Sequence, residues 1–66
     1  IKIVVNGRLL TVNTKFSLRN LIEKLKTPIN KVAVELNEEI VNKKKLNKIY
    51  LKNKDKIEIV HFIGGG

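Results

Sequence analysis

The last three residues of the chain are the ones whose type and position favour chemistry. Gly64, Gly65 and Gly66 have no side chains, so the segment is able to extend through a narrow channel and leaves the final acyl carbon unshielded. A free carboxylate is a poor electrophile, but a mixed anhydride with AMP has a good leaving group that a sulfur or amine nucleophile displaces. We therefore expect Gly66 to be activated by a partner enzyme that uses ATP and magnesium.

Side chains suited to catalysis are scarce. Ser17 and His61 are the sole serine and histidine, and cysteine is absent, so no nucleophile has an activating base and no set of metal ligands is evident. Glu38 and Glu39 are adjacent, but they fall in a predicted turn where solvated carboxylates are usual. The sequence therefore predicts no catalytic residue, no metal site and no cofactor bound by the chain itself, which indicates that the protein is not an enzyme.

Lysine is concentrated in the second half of the chain, and the formal net charge is +8. Such a charge attracts anionic partners, so phosphate binding to DNA or RNA is one alternative. Tyr50 is the sole aromatic residue in this lysine cluster, so the stacking surface of a single-strand binder is missing. A solvated surface is the favoured interpretation, and a nucleic-acid partner is not expected. The cluster consists of Lys43, Lys44, Lys45, Lys48, Lys52, Lys54 and Lys56.

The last predicted strand begins at Ile57 and presents apolar residues on both faces. Because side chains alternate along a strand, Ile57 and Ile59 share the core face, and Glu58, Val60 and Phe62 lie on the opposite face. Exposed Val60 and Phe62 just before the glycine tail favour a docking surface for a partner protein, formed by Glu58, Val60 and Phe62. A strand bulge that buries Phe62 is the alternative.

A single helix is predicted after the first strands. Ser17 is suited to cap the first free N–H groups, and Phe16 is placed to pack on Leu21 as a hydrophobic staple. Thr27-Pro28 is predicted to end the helix, because the residue before proline disfavours helical backbone. The spacing of the apolar residues gives one buried face, formed by Leu18, Leu21, Ile22 and Leu25.

Short strands account for most of the remaining chain. Asn6-Gly7 separates two β-branched, apolar runs and is a strong signal for a two-residue hairpin turn. Between 42 and 48 the only large apolar residue is Leu46, so a loop or a short turn is expected there. The predicted strands cover residues 1–5, 8–12, 31–36, 40–41 and 49–51, followed by the strand that begins at Ile57.

The order of these elements indicates an α+β fold in one small domain, since 66 residues leave no room for a second one. A hairpin, one covering helix and further strands predict a mixed four- or five-stranded sheet, an order that resembles the plan of a β-grasp domain. We expect a β-grasp domain over residues 1–63 and a flexible tail over 64–66. The lack of cysteine, of a long apolar run and of a signal segment favours a cytoplasmic protein with no membrane partner.

The chain resembles the ThiS family, the ubiquitin-like sulfur carrier proteins of thiazole biosynthesis. The resemblance covers essentially the whole chain and is most specific at residues 32–41 (VAVELNEEIV), residues 55–63 (DKIEIVHFI) and Gly65-Gly66. It implies that a ThiF-like adenylating enzyme of the E1 type activates Gly66. A sulfur donor protein then converts the adenylate to a thiocarboxylate, which a ThiG-like thiazole synthase uses for thiamin, while Gly64 and Gly65 thread into the partner's active site.

Three other interpretations stay open from the sequence. The small subunit of molybdopterin synthase also ends in Gly-Gly and carries a thiocarboxylate, but it is usually longer and differs in its partner. A small basic nucleic-acid-binding domain would explain the positive charge. A structural β-grasp module with an inert tail would explain the fold alone.

Overall fold

The computed structural model describes residues 1–62 and begins with a β-hairpin. Strand β1 (Lys2–Val5) pairs antiparallel with strand β2 (Arg8–Thr11). Asn6 and Gly7 connect them with φ values of 48° and 81°, and positive φ at both turn residues is what a two-residue hairpin requires. The predicted hairpin is therefore confirmed. The turn also contacts a distant strand, because Asn6 Oδ1 accepts a hydrogen bond of 2.7 Å from the N–H of Ile59.

Helix α1 (Leu18–Lys24) starts where the sequence predicts. Ser17 Oγ accepts the N–H of Asn20, and Asn20 Oδ1 accepts the N–H of Ser17, both at 3.0 Å. This reciprocal capping box satisfies two N–H groups that a helix start leaves free. The helix then covers one face of the sheet with Leu18, Leu21 and Ile22, which are buried. The prediction that Leu25 belongs to this buried face is wrong, because Leu25 caps the end of the helix and is 40% exposed.

The helix ends at Lys24, earlier than the predicted stop at Thr27-Pro28. Lys26 adopts a left-handed φ of 54°, and its N–H donates to the Glu23 carbonyl at 3.0 Å. The N–H of Thr27 donates to the Ile22 carbonyl at 3.2 Å. These two bonds form a Schellman motif, which terminates the helix without help from proline.

The segment that spans residues 42–51 differs most from the prediction. Residues 42–48 were expected to form a loop or a short turn, and the structure has a 3-10 helix at Lys43–Lys48 with Leu46 buried. The predicted strand at residues 49–51 does not form. Instead, Tyr50 forms an isolated β-bridge with Ser17, the N-cap residue of α1. The backbone at 49–51 therefore pairs with the start of the helix and not with a strand of the sheet.

Three further strands complete a five-stranded sheet in the order β2-β1-β5-β3-β4. Strands β3 (Val32–Leu36) and β4 (Glu39–Ile40) are antiparallel neighbours, and β5 (Lys56–His61) lies between β1 and β3. The β1 and β5 pair is parallel and the others are antiparallel. The sheet is therefore mixed and covered by one α-helix on a single face, which confirms the predicted α+β, β-grasp architecture.

Candidate docking face and carboxyl-terminal tail

Strand β5 divides its side chains between two faces of the sheet, as predicted. Ile57 and Ile59 are buried in the core against α1, whereas Val60 is 51% and Phe62 50% exposed. Glu58 lies between the buried residues in sequence and is half-buried. Since Phe62 is not buried by a bulge, the alternative interpretation is wrong. The docking role of Glu58, Val60 and Phe62 stays a prediction.

Neighbouring strands extend the surface on the side of the sheet that faces away from α1. Leu9 on β2 is opposite Val4 and is 68% exposed, and Ile40 on β4 is opposite Glu35 and is 77% exposed. Partners in an antiparallel register point to the same face, so these residues share one surface with Val60. We call this surface the open face, and it has apolar residues together with charges of both signs. It consists of Lys2, Val4, Leu9, Thr11, Ala33, Glu35, Ile40, Lys56, Glu58 and Val60.

Two carboxylates lie opposite each other in the open face. Glu35 on β3 is the register partner of Glu58 on β5, and both are half-buried. Over residues 1–62 the one ion pair is between Arg19 and Glu23 on α1, at 3.3 Å. Within this range neither glutamate of the face forms an ion pair, and the nearest lysine along β5 on the same face is Lys56. Glu58 was predicted from the sequence, and Glu35 was not.

Phe62 is held at the end of β5 by two contacts. Its N–H donates to the Lys31 carbonyl at 2.9 Å, which continues the pairing of β5 with β3. The Nζ atom of Lys43 lies 5.2 Å from the centre of its ring, within the range of a cation–π contact. Lys43 was seen in the sequence as part of a solvated lysine cluster, and this contact was not predicted.

The residues with the proposed chemistry, Gly64, Gly65 and Gly66, lie outside the described residues, as does Ile63. The predicted division into a domain over 1–63 and a tail over 64–66 therefore stays a prediction. What the structure places is the point where the described chain ends, at exposed Phe62 after the central strand of the sheet.

The helical side of the molecule offers a groove with no catalytic constellation. A groove of about 130 Å³ between α1 and the 3-10 helix has an apolar floor that includes Ile22 and Leu46. Its charged lining residues are Lys43 and the paired Arg19 and Glu23. These groups provide neither a nucleophile nor a base beside one. His61 is exposed at the end of β5, and residues 1–62 contain no group of three His, Cys, Asp or Glu side chains arranged for a metal.

The lysines of the cluster are all exposed, and they occupy the 3-10 helix, the following turn and the start of β5. This placement agrees with a solvated surface, and the expectation of no nucleic-acid partner stays a prediction. In the described part of the chain, no helix combines the length and the apolar character needed to cross a membrane.

Comparison with known proteins decides the family. The model of the ThiS family matches residues 2–66. The chain belongs to the ThiS family. A crystal structure of the thiamine biosynthesis protein (ThiS) from Geobacter metallireducens superposes on this ThiS-family chain with a TM-score of 0.86 at 30% identity, over 100% of both chains. The resemblance and the fold predicted from the sequence are thus confirmed.

Two relatives differ in how much of their length this ThiS-family chain matches. It is 51% identical over 35 residues to the sulfur carrier protein ThiS of Bacillus subtilis (strain 168), covering 53% of each protein. It is 40% identical over 65 residues to the thiazole synthase of Paramagnetospirillum magneticum (strain ATCC 700264 / AMB-1), which covers 98% of this chain and 20% of that protein. The chain therefore spans about a fifth of the length of the thiazole synthases it matches.

Proposed function

We propose that this protein is a sulfur carrier that works through the carboxylate of Gly66 and does not catalyse the reaction itself. The observation that carries the proposal is the match to the ThiS family over residues 2–66, which includes the glycine tail. The proposal places the chemistry at the chain end and in partner enzymes.

The proposed reaction has two steps at the terminal carbon. In the first, a Gly66 carboxylate oxygen attacks the α-phosphorus of ATP, and pyrophosphate leaves. In the second, hydrosulfide delivered by a sulfur donor attacks the acyl carbon. The bond to AMP breaks, AMP leaves, the sulfur loses its proton to solvent, and a thiocarboxylate remains. The ATP and its magnesium ion belong to a ThiF-like adenylating enzyme, and the carrier binds neither.

The glycines are the contribution of this chain to both steps. Without Cβ atoms, Gly64 and Gly65 are able to follow a narrow channel, and nothing shields the Gly66 carbon from either nucleophile. The product suits a carrier, because a thiocarboxylate is ionised near neutral pH and stays tethered, so that sulfide is not released. A ThiG-like thiazole synthase is the proposed acceptor, in a cytoplasmic setting where the donor and ATP are both present.

Docking of the partners is proposed to use the exposed residues nearest the tail. Val60 and Phe62 are apolar and about half exposed, and Glu58 lies on the same face of β5. Burial of such side chains in an interface is favourable because each removes apolar surface from water. A partner that covers this surface would also be close to the point at which the described chain ends.

The adenylation step is tested by ATP–pyrophosphate exchange. A bacterial ThiF-type adenylating enzyme is incubated with ATP, magnesium, labelled pyrophosphate and this protein, and the label that enters ATP is measured. We expect exchange that depends on the carrier and is abolished by deletion of residues 64–66. Thermal unfolding of this variant, compared with that of the unmodified protein, is the fold control. Exchange that persists without the three glycines would contradict the proposal.

A further inference from the structure

The open face combines a broad apolar surface with a pair of like charges near its centre. Leu9 and Ile40 are the most exposed apolar residues of the described chain and lie on the outer strands, β2 and β4. Glu35 and Glu58 lie between them on the adjacent strands β3 and β5. An apolar surface alone would accept many partners, whereas two carboxylates inside it restrict the chemistry of the partner.

From this arrangement we infer that the open face docks a protein that inserts a basic side chain between Glu35 and Glu58 and surrounds it with apolar residues. The inference rests on the proposed function, since it names the chemistry of the partner that the docking face selects. It concerns the recognition of that partner and is independent of the chemistry at Gly66.

The register explains why an external cation fits there. Side chains directly opposite on antiparallel strands have Cβ atoms about 5 Å apart, and like charges in such a pair are destabilising. Lys56, two residues before Glu58 on the same face of β5, forms no ion pair with either carboxylate in the described chain. Within residues 1–62 neither carboxylate forms an ion pair, so a cation placed between the two interacts favourably with both.

An arginine matches this pair better than a lysine does. A guanidinium group has several N–H donors in one plane, so it is able to bridge two carboxylates, whereas an ammonium acts as a point charge. The apolar rim from Leu9 to Ile40 would exclude water from this contact and strengthen it. The whole chain is strongly cationic, with a net charge of +8, so a basic partner would be repelled by most of the surface and directed to the two carboxylates.

The test compares neutral variants with a control of equal charge change. Glu35→Gln, Glu58→Gln and the double variant remove the carboxylates with little change in shape. Glu39→Gln is the control, because Glu39 is opposite Leu36 and so points to the other face of β4. Binding of each fluorescently labelled protein to a ThiF-type adenylating enzyme is measured by anisotropy without ATP, and thermal unfolding is recorded in parallel.

We expect the double variant to bind about tenfold more weakly at about 150 mM salt, and the control to bind like the unmodified protein. The Kd of the unmodified protein should rise with salt, and that of the double variant should rise less. The Tm of the double variant should not fall along with its affinity. Removal of the like charges should leave Tm unchanged or raise it by up to about 5 °C. This combination separates recognition from damage to the fold.

Several outcomes would overturn the inference. Unchanged binding of the double variant, or no binding of the unmodified protein, would do so. A concentration-dependent dimer that the double variant abolishes would assign the face to a second copy of the chain instead. Weaker binding of the double variant while the unmodified protein supports no ATP–pyrophosphate exchange would uphold the inference and count against the proposed function, so the two failures are distinguishable.

Discussion

Alanine substitutions at Ile57 and Val60 test whether β5 separates a core face from a docking face. The two residues are on the same strand, three positions apart, and lie on opposite faces of the sheet. Ile57 is fully buried in the core, and Val60 is about half exposed beside Ala33. The same alanine side chain is introduced at both positions, so the difference between the variants reports burial.

The expected costs in the free energy of unfolding differ several-fold. Truncation of a fully buried isoleucine to alanine costs about 2 to 5 kcal/mol, because apolar contacts are lost and a cavity remains. A domain of this size has a total stability of roughly 3 to 5 kcal/mol, so Ile57→Ala should leave little folded protein. Val60→Ala removes two methyl groups that are already half exposed, and it should cost about 1 kcal/mol or less.

Thermal unfolding followed by circular dichroism measures the difference. In a domain of this size about 1 kcal/mol corresponds to a shift in Tm of about 4 to 8 °C. Val60→Ala should therefore unfold cooperatively with Tm lowered by less than about 8 °C. Ile57→Ala should lose more than about 10 °C or show no cooperative transition. Equal losses in the two variants would refute the separation of faces.

Three further substitutions test other parts of the account. Lys26→Gly should raise Tm by up to about 8 °C, since glycine adopts the left-handed φ at the helix end without the strain of a side chain. A fall in Tm would contradict the assignment of a Schellman motif to this helix end. Asn6→Gly keeps the turn but deletes the acceptor of the Ile59 N–H, so it should cost about 1 kcal/mol in a denaturant titration, and no loss would show that the hydrogen bond is unimportant. Phe62→Asp should stay folded, since the new carboxylate lies near Lys43, but should raise the KM for the carrier in ATP–pyrophosphate exchange about tenfold; an unfolded variant would place Phe62 in the core.

Local signals explain the parts of the fold that the sequence predicts well. The hairpin depends on two adjacent residues, Asn6 and Gly7, that tolerate positive φ. The helix start depends on Ser17 and the apolar spacing after it, and the faces of β5 follow from strict alternation along a strand. Each of these features is decided within a few residues, so it does not require knowledge of the sheet order.

The segment after β4 was mispredicted because its structure depends on distant contacts. The 3-10 helix at Lys43–Lys48 buries one apolar residue, Leu46, which is too little for a helical pattern to be read from the sequence. At 49–51, the β-branched and aromatic composition favours a strand. The Leu51 N–H instead donates to the Phe16 carbonyl at 2.8 Å, and the Leu18 N–H donates to the Ile49 carbonyl at 2.8 Å. These bonds hold an extended connection against the helix entry.

The early helix stop has a different origin. A left-handed residue at a helix end is usually glycine, and Lys26 occupies that position here. The sequence therefore gave no sign of a stop before Thr27-Pro28. The helix ends because the hydrogen bonds from Lys26 and Thr27 satisfy carbonyls of its last turn.

Of the residues in the candidate docking face, the sequence predicted only those that follow from the pattern along β5. Glu58, Val60 and Phe62 follow from alternation along β5, but Leu9, Glu35 and Ile40 join them only when the strand order and register are known. A local sequence pattern shows neither the strand order nor the register, since β5 pairs with strands far from it in sequence. The opposed glutamates are thus a product of the tertiary fold.

The central claim is that Gly66 receives the sulfur, and the intact mass of the protein tests it most directly. The protein is incubated with ATP, magnesium, a ThiF-type adenylating enzyme and sulfide, and its mass is then compared with that of a variant that lacks residues 64–66 and is treated in the same way. The account predicts a gain equal to the exchange of one oxygen for one sulfur, located by fragmentation at Gly66 and absent from the variant. An unchanged mass with an enzyme that activates its own carrier, or a gain located at another residue, would contradict the account.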